Sequence, residues 1–146
     1  MSKVFMALLT GMLVTFIVDF FLFLGIKLHY IDANEIEIYF NILFADNQNF
    51  AFFFLFSGIF GFIIIFIENK KLTIFTIISL TILAILPLFE PLGKSLGEAM
   101  FMKKGISYKD SRFNFYGDVY YDGRKNITFY DYELQKMILL KKKDLR

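Results

Sequence analysis

The sequence predicts a mainly α-helical membrane protein, with three transmembrane helices followed by a small C-terminal antiparallel β-meander. Three observations carry that expectation. Two apolar runs, residues 50–67 and 72–92, are separated only by Glu68-Asn69-Lys70-Lys71. A third run, residues 4–26, lies behind the short basic start Met1-Ser2-Lys3. The last fifty residues abandon the long runs for a period-2 alternation. Composition agrees: 57% of residues are hydrophobic, against about 45–50% in soluble domains, and the mean hydropathy is +0.56.

Charge places the boundary between the two characters. Residues 1–93 carry four lysines against seven acids, net −3, and residues 94–146 carry twelve basic residues against seven acids, net +5. The shift marks a helical region over residues 1–102 and an extramembrane β-rich tail over 103–146.

The first run is 23 residues long, and about 20 span a bilayer core as helix. It contains Asp19 and no clear small-x-small cleavage site, so it reads as an uncleaved helix rather than a signal peptide. Residues 27–49 form a loop with one lysine and four acids. Ile36, Ile38, Phe40 and Ile42 alternate with polar neighbours, a strand pattern. Apolar residues also continue through Leu43 and Phe44, which suits a short interfacial helix equally. As a strand, 36–42 would add to the sheet of the tail.

In the second helix, Ser57 and Gly61 stand four apart, a spacing that lets another backbone approach closely; phenylalanine packing around glycine is the plainer alternative. The third helix ends in Pro87-Leu88-Phe89-Glu90-Pro91, where proline should kink or terminate the last turn. Residues 93–102 are mildly amphipathic and suit the interface. In the tail, residues 112–121 alternate, Asp122-Gly123 reads as a hairpin turn because glycine tolerates positive φ, residues 126–132 alternate again, and 136–140 supply a third strand.

Three spans put the first loop and the tail on one face of the membrane, where net charges of −3 and +5 attract each other. Lys3 and Lys70-Lys71 argue for a cytoplasmic amino terminus in a bacterial inner membrane, with the tail on the non-cytoplasmic side. Lysines near the exit of the third helix pull the other way, but long segments cross largely regardless of charge.

Asp19 is the first candidate for chemistry, because an ionised carboxylate is expensive inside a bilayer and usually faces a bundle interior. Gly11, Thr15 and Asp19 fall at i, i+4 and i+8, a stripe suited to helix contact. Thr76, Ser79, Leu83, Pro87, Glu90 and Lys94 fall within about an 80° sector at 100° per residue. That gives the third helix a polar edge ending in Glu90. Asp19, Thr15, Thr76, Ser79 and Glu90 are therefore the candidate intramembrane polar or partner contacts. One use for them is a proton or cation path. The simpler one has Asp19 held by Thr or Ser hydroxyls and Glu90 paired with Lys94 at the interface.

No cysteine and a single histidine, His29, exclude thiolate chemistry and a histidine-cluster metal site within the chain. Neither a phosphate-binding loop nor a hydrolase elbow is present, so the expectation is a non-enzyme that needs no cofactor. Tyrosines interleaved with basic residues in the tail resemble a nucleic-acid platform, but a small sheet whose edge is guarded by Tyr and Lys explains them without nucleic acid. The expected partners are the lipid bilayer and another membrane protein or a second copy of the chain. The expected role is accessory or assembly subunit of a larger membrane complex. An oligomeric ion or proton conductor using Asp19 and Glu90, and an immunity-type envelope protein that binds a toxin, are the alternatives.

Overall fold

The computed structural model describes residues 2–110 and 113–145. Five α-helices, α1 (Lys3–Ile26), α2 (Phe40–Asn47), α3 (Phe50–Phe66), α4 (Lys70–Ile85) and α5 (Glu90–Phe101), precede four strands, β1 (Lys103–Lys109), β2 (Asn114–Asp122), β3 (Asn126–Asp131) and β4 (Lys136–Lys141). Helix α1 continues through a π-helical turn, Lys27–Ile31, and a 3-10 turn, Asp32–Asn34, making a 32-residue rod that ends where Glu35 turns left-handed at φ 56°. That rod and Lys70–Leu88 are long and apolar enough to cross a membrane, and α2 with α3, bent by 82°, would make a third span as a broken pair.

Asparagine starts both later helices. The side chains of Asn49 and Asn69 each accept hydrogen bonds from two backbone N–H groups of the turn they open, satisfying donors that have no partner within the helix. Helix α1 is the hub. Helices α3 and α4 both pack on it and touch each other only sparsely, so the 50–92 hairpin is held together by α1 rather than by its own two arms. Along α1, Ala7, Gly11 and Thr15 are buried against α3, which buries Ser57 and Gly61. A β-carbon on Gly11 would lie 1.8 Å from the Ser57 carbonyl oxygen, and one on Gly61 would lie 1.9 Å from that of Ala7. The two backbones are in direct contact, the close approach that small residues permit.

The apolar run 72–92 does not continue as one helix. It breaks in a 3-10 turn, Leu86–Leu88, and restarts at Glu90 with Pro91 in the first turn of α5. Prolines at 87 and 91 remove two helical donors and disfavour helix in the residues before them. Thr76 and Ser79 therefore stay on α4 while Glu90 and Lys94 move to a different helix, and the predicted continuous polar edge is divided. The broken corner is clamped. Gly25 and Gly93 both approach the Pro87 carbonyl, His29 Nε2 lies 2.8 Å from the Leu88 oxygen, and Gly97 presses on the Tyr30 ring.

The loop resolves as the shorter of its two readings. Residues 40–47 are helical, and 35–39 form an irregular turn, with the Ile38 N–H donating to the Ile36 carbonyl at 3.0 Å, that does not join the sheet. Alternation and helical continuity overlap here. Ile36 settles the matter by burying beside Ile31 and Leu43, which holds the turn on the helices.

The sheet has order β1-β2-β3-β4, all antiparallel, one strand more than the expected meander. Lys103–Lys109 escaped because Lys-Lys-Gly-Ile-Ser-Tyr-Lys shows no clean alternation; residue 112, where the first predicted strand begins, lies outside the described residues. The hairpin at Asp122-Gly123 exists, but its loop is Gly123-Arg124-Lys125 and Gly123 does not need positive φ. The glycine that does is Gly105, φ 64°, at a register shift in β1. Asp131 turns β3 into β4 by accepting from the N–H groups of Glu133 and Leu134. One sheet face collects Val119, Ile127, Phe129 and Leu140 as a core. The sheet curls around it: the Tyr108 ring of β1 meets Phe129 of β3 edge-on at 5.8 Å, and Leu145 bridges to Asp110.

Candidate functional site

The loop and the sheet share one core. Phe23, Ile26, Tyr30, Ile31, Ile36 and Leu43 come from the first helix and loop, Phe101 from α5 and Tyr121 from β2. This brings the first loop and the tail together. The attraction between their charges has a concrete form in the fork of Arg124, which grips the Asp46 carboxylate with Nε at 2.7 Å and with Nη2.

Tyr30 is the central side chain. The register of β2 against β3 shifts between Val119 and Tyr121, leaving Tyr120 as the extra residue of a bulge with a carbonyl outside the ladder. The Tyr30 hydroxyl donates to that carbonyl at 2.9 Å. A file of rings runs outward from it: Phe101, Tyr30, Tyr120, Tyr130, Tyr132 and Tyr116, with successive centroids 6.2, 6.4, 6.5, 6.3 and 5.3 Å apart. Tyr30 is 1% exposed and Tyr116 is 53% exposed, so the file connects the helical interior to the outer sheet face. Burial pushes the Tyr120 and Tyr121 hydroxyls above the usual phenol range. Tyr132 donates to Asp118 at 2.6 Å, and that hydrogen bond pushes it up to about 12.

Three consecutive amides organise the elbow between α2 and α3. Asn47 donates to the Leu43 carbonyl at 2.8 Å and reaches 3.5 Å from the Tyr121 hydroxyl. Gln48 Nε2 donates to Asp19 Oδ2 at 3.1 Å, and Asn49 caps α3. The elbow thus ties α2 toward the sheet, toward α1 and into α3.

The predicted intramembrane residues fall in different places. Asp19 is half-buried, at the end of the Ala7-Gly11-Thr15 stripe, and its partner is Gln48 rather than a hydroxyl or Glu90. Thr15 is buried between α1 and α3, and its hydroxyl, like that of Ser57, has no hydrogen-bond partner. Thr76 and Ser79 are partly buried on α4, and Glu90 is exposed at the start of α5. Gln48, Tyr30 and the Asp46–Arg124 pair were not singled out from sequence. The polar run Asp46-Asn47-Gln48-Asn49 between two apolar stretches was the signal available.

Beside the junction lies an open groove of about 680 Å³, bounded by Glu35, Ile36, Glu37 and Ile38 on one wall and by Thr128, Met137, Ile138 and Leu139 of the sheet on the other. A second hollow of the same volume lies against Lys27, Asp32 and Phe40. Residues 35–38 line both, so this stretch stands as an acidic arch between them. Volumes of this size accommodate ligands or short peptide segments. Among the described residues, no group of three or more His, Asp or Glu could hold a metal ion. Compared with family models, curated proteins and solved structures, the chain matches none.

Proposed function

We propose that the chain is an integral membrane protein that works by binding, as an accessory or assembly subunit of a larger membrane complex. In this reading the α1 rod, α3 and Lys70–Leu88 make three spans, and α2, at 82° to α3, lies along the interface. The sheet stands on the non-cytoplasmic side, with Lys70 and Lys71 in the cytoplasmic turn.

One observation carries the proposal. The sheet is fastened to the helical body through Tyr30, the bulge at Tyr120 and the Arg124 fork, and that union leaves an open groove beside the shared core. A preorganised concave surface is suited to recognition. Helix α4 adds support: it is apolar enough to span, yet only 17% of its window is buried within the chain, leaving most of its surface to lipid or a partner helix. An immunity-type protein that captures a toxin is the same reading with a different partner. The conductor reading lacks a favouring observation, since Asp19 bonds Gln48 and Glu90 stands exposed on another helix.

Purification of the tagged full chain in mild detergent, followed by mass spectrometry, is the test. A stoichiometric membrane-protein partner is expected; a clean monomer across several detergents would sink the proposal.

A further inference from the structure

The two edges of the sheet are built differently. Strand β1 is blunted by three lysines, Lys103, Lys104 and Lys109, and by the left-handed Gly105 at a register shift. Bulges and edge lysines are the usual devices against unwanted strand pairing. Strand β4 has neither a bulge nor a charge in its middle. All six of its residues keep regular register with β3, and Met137-Ile138-Leu139-Leu140 is an unbroken apolar stretch in which Leu139 is 61% exposed. Its outer edge is the end of the sheet, and Met137, Ile138 and Leu139 line the groove. A regular apolar edge of this kind is an aggregation liability unless something pairs with it.

We infer that β4 is a docking edge for an extended segment of a partner protein, which adds to the sheet as a fifth strand within the groove. This rests on the binding role proposed above and names its surface. The charges around the edge specify the occupant. Lys136 and Lys141 bracket the apolar stretch, so the incoming strand carries acidic residues at its two ends and apolar residues between them. Of the groove's other charged groups, Glu35 and Glu37 on the opposite wall disfavour acids along the strand, Arg124 is occupied by Asp46, and Lys125 adds to the attraction at the Lys141 end. A second copy of the chain is a poor occupant, because antiparallel pairing of two β4 edges would set Lys136 against Lys141 of the other copy and place like charges across the ladder. The 35–39 arch, although its sequence alternates, turns on itself and is committed elsewhere through buried Ile36.

The experiment selects a displayed library of nine-residue peptides, with alternating Val and Thr in the middle and randomised ends, against the full chain in detergent micelles. Asp and Glu should be enriched at both ends. The best peptide should slow amide hydrogen exchange in residues 136–141 by at least tenfold while leaving β1 unchanged. In the double variant Lys136→Glu, Lys141→Glu the selection should invert toward Lys and Arg ends, provided that the variant retains wild-type exchange in β2 and β3. Enrichment indifferent to end charge, protection located outside β4, or dimerisation through β4 on addition of no peptide would each overturn the inference. The broader binding role fails separately. If a stoichiometric partner co-purifies and neither the peptide nor the charge reversal releases it, the docking edge is refuted and the subunit reading stands. If the peptide docks and no partner co-purifies, the reverse holds.

Discussion

Helices α3 and α4 are both apolar neighbours of α1, and they pack on it in opposite ways. Between α1 and α3 the backbones touch, Ala7 to Gly61 and Gly11 to Ser57. Between α1 and α4 the bulky side chains Val14, Ile17, Val18 and Phe21 face Ile77, Leu80 and Ile85 around an apolar gap of about 340 Å³. In an apolar solvent, hydrophobicity does not drive helices together; close packing does. The number of apolar residues therefore says which segments enter a membrane, and the position of the small ones says which segments stay paired inside it.

Breaking the tight contact should have the largest effect. Gly11→Leu would drive a side chain into the Ser57 backbone and should cost about 3 kcal/mol or more of unfolding free energy. Gly58→Leu, on the same α3 but with nothing within 4 Å of the new β-carbon, should cost less than about 0.5 kcal/mol. Reversible unfolding in mixed micelles measures both, and equal losses would show that the contact is not what holds the pair. Next comes the sheet anchor. Tyr30→Phe strands the Tyr120 carbonyl and should cost about 1–3 kcal/mol, with faster proteolysis between Phe101 and Lys103 as the readout.

Sharpening the contact is possible as well. The hydroxyls of Thr15 and Ser57 are buried without partners, so Thr15→Val and Ser57→Ala should each raise stability by up to about 1 kcal/mol. A loss in either would mean that the hydroxyl has work to do. The smallest effect is alkaline. Tyr108, Tyr120, Tyr121 and Tyr132 all have hydroxyl pKa values raised from 10.0. Their neutral forms therefore favour the folded sheet fully below pH 10, and that contribution fades as pH rises toward about 12, the value for Tyr132. Ultraviolet titration should show these phenols ionising late, together with loss of sheet signal; a single normal titration of all eight tyrosines would contradict it.

The apolar runs were legible because length and composition alone mark a segment able to span a membrane, and the Gly11–Thr15 and Ser57–Gly61 spacings pointed to the contact that formed. Strands β2, β3 and β4 were legible because alternation is a local signal. What escaped was non-local or ambiguous. Gln48 meets Asp19 across 29 positions, and nothing in either neighbourhood announces the other. The bulge at Tyr120 is set by register between strands, not by composition. Residues 36–42 satisfied strand and helix periods at once, and burial of Ile36 decided between them.

The ring file from Tyr30 to Tyr116 has an optical consequence. The chain has eight tyrosines and no tryptophan, so tyrosine alone emits, and five of the eight stand in this one row with neighbours no more than 6.5 Å apart. Excitation absorbed anywhere along the row can migrate through it. Near-ultraviolet dichroism and tyrosine emission of the unlabelled protein should thus be dominated by the sheet and its anchor, and an event at the exposed end should be visible from the buried one. The molecule carries its own probe of whether its two parts remain joined.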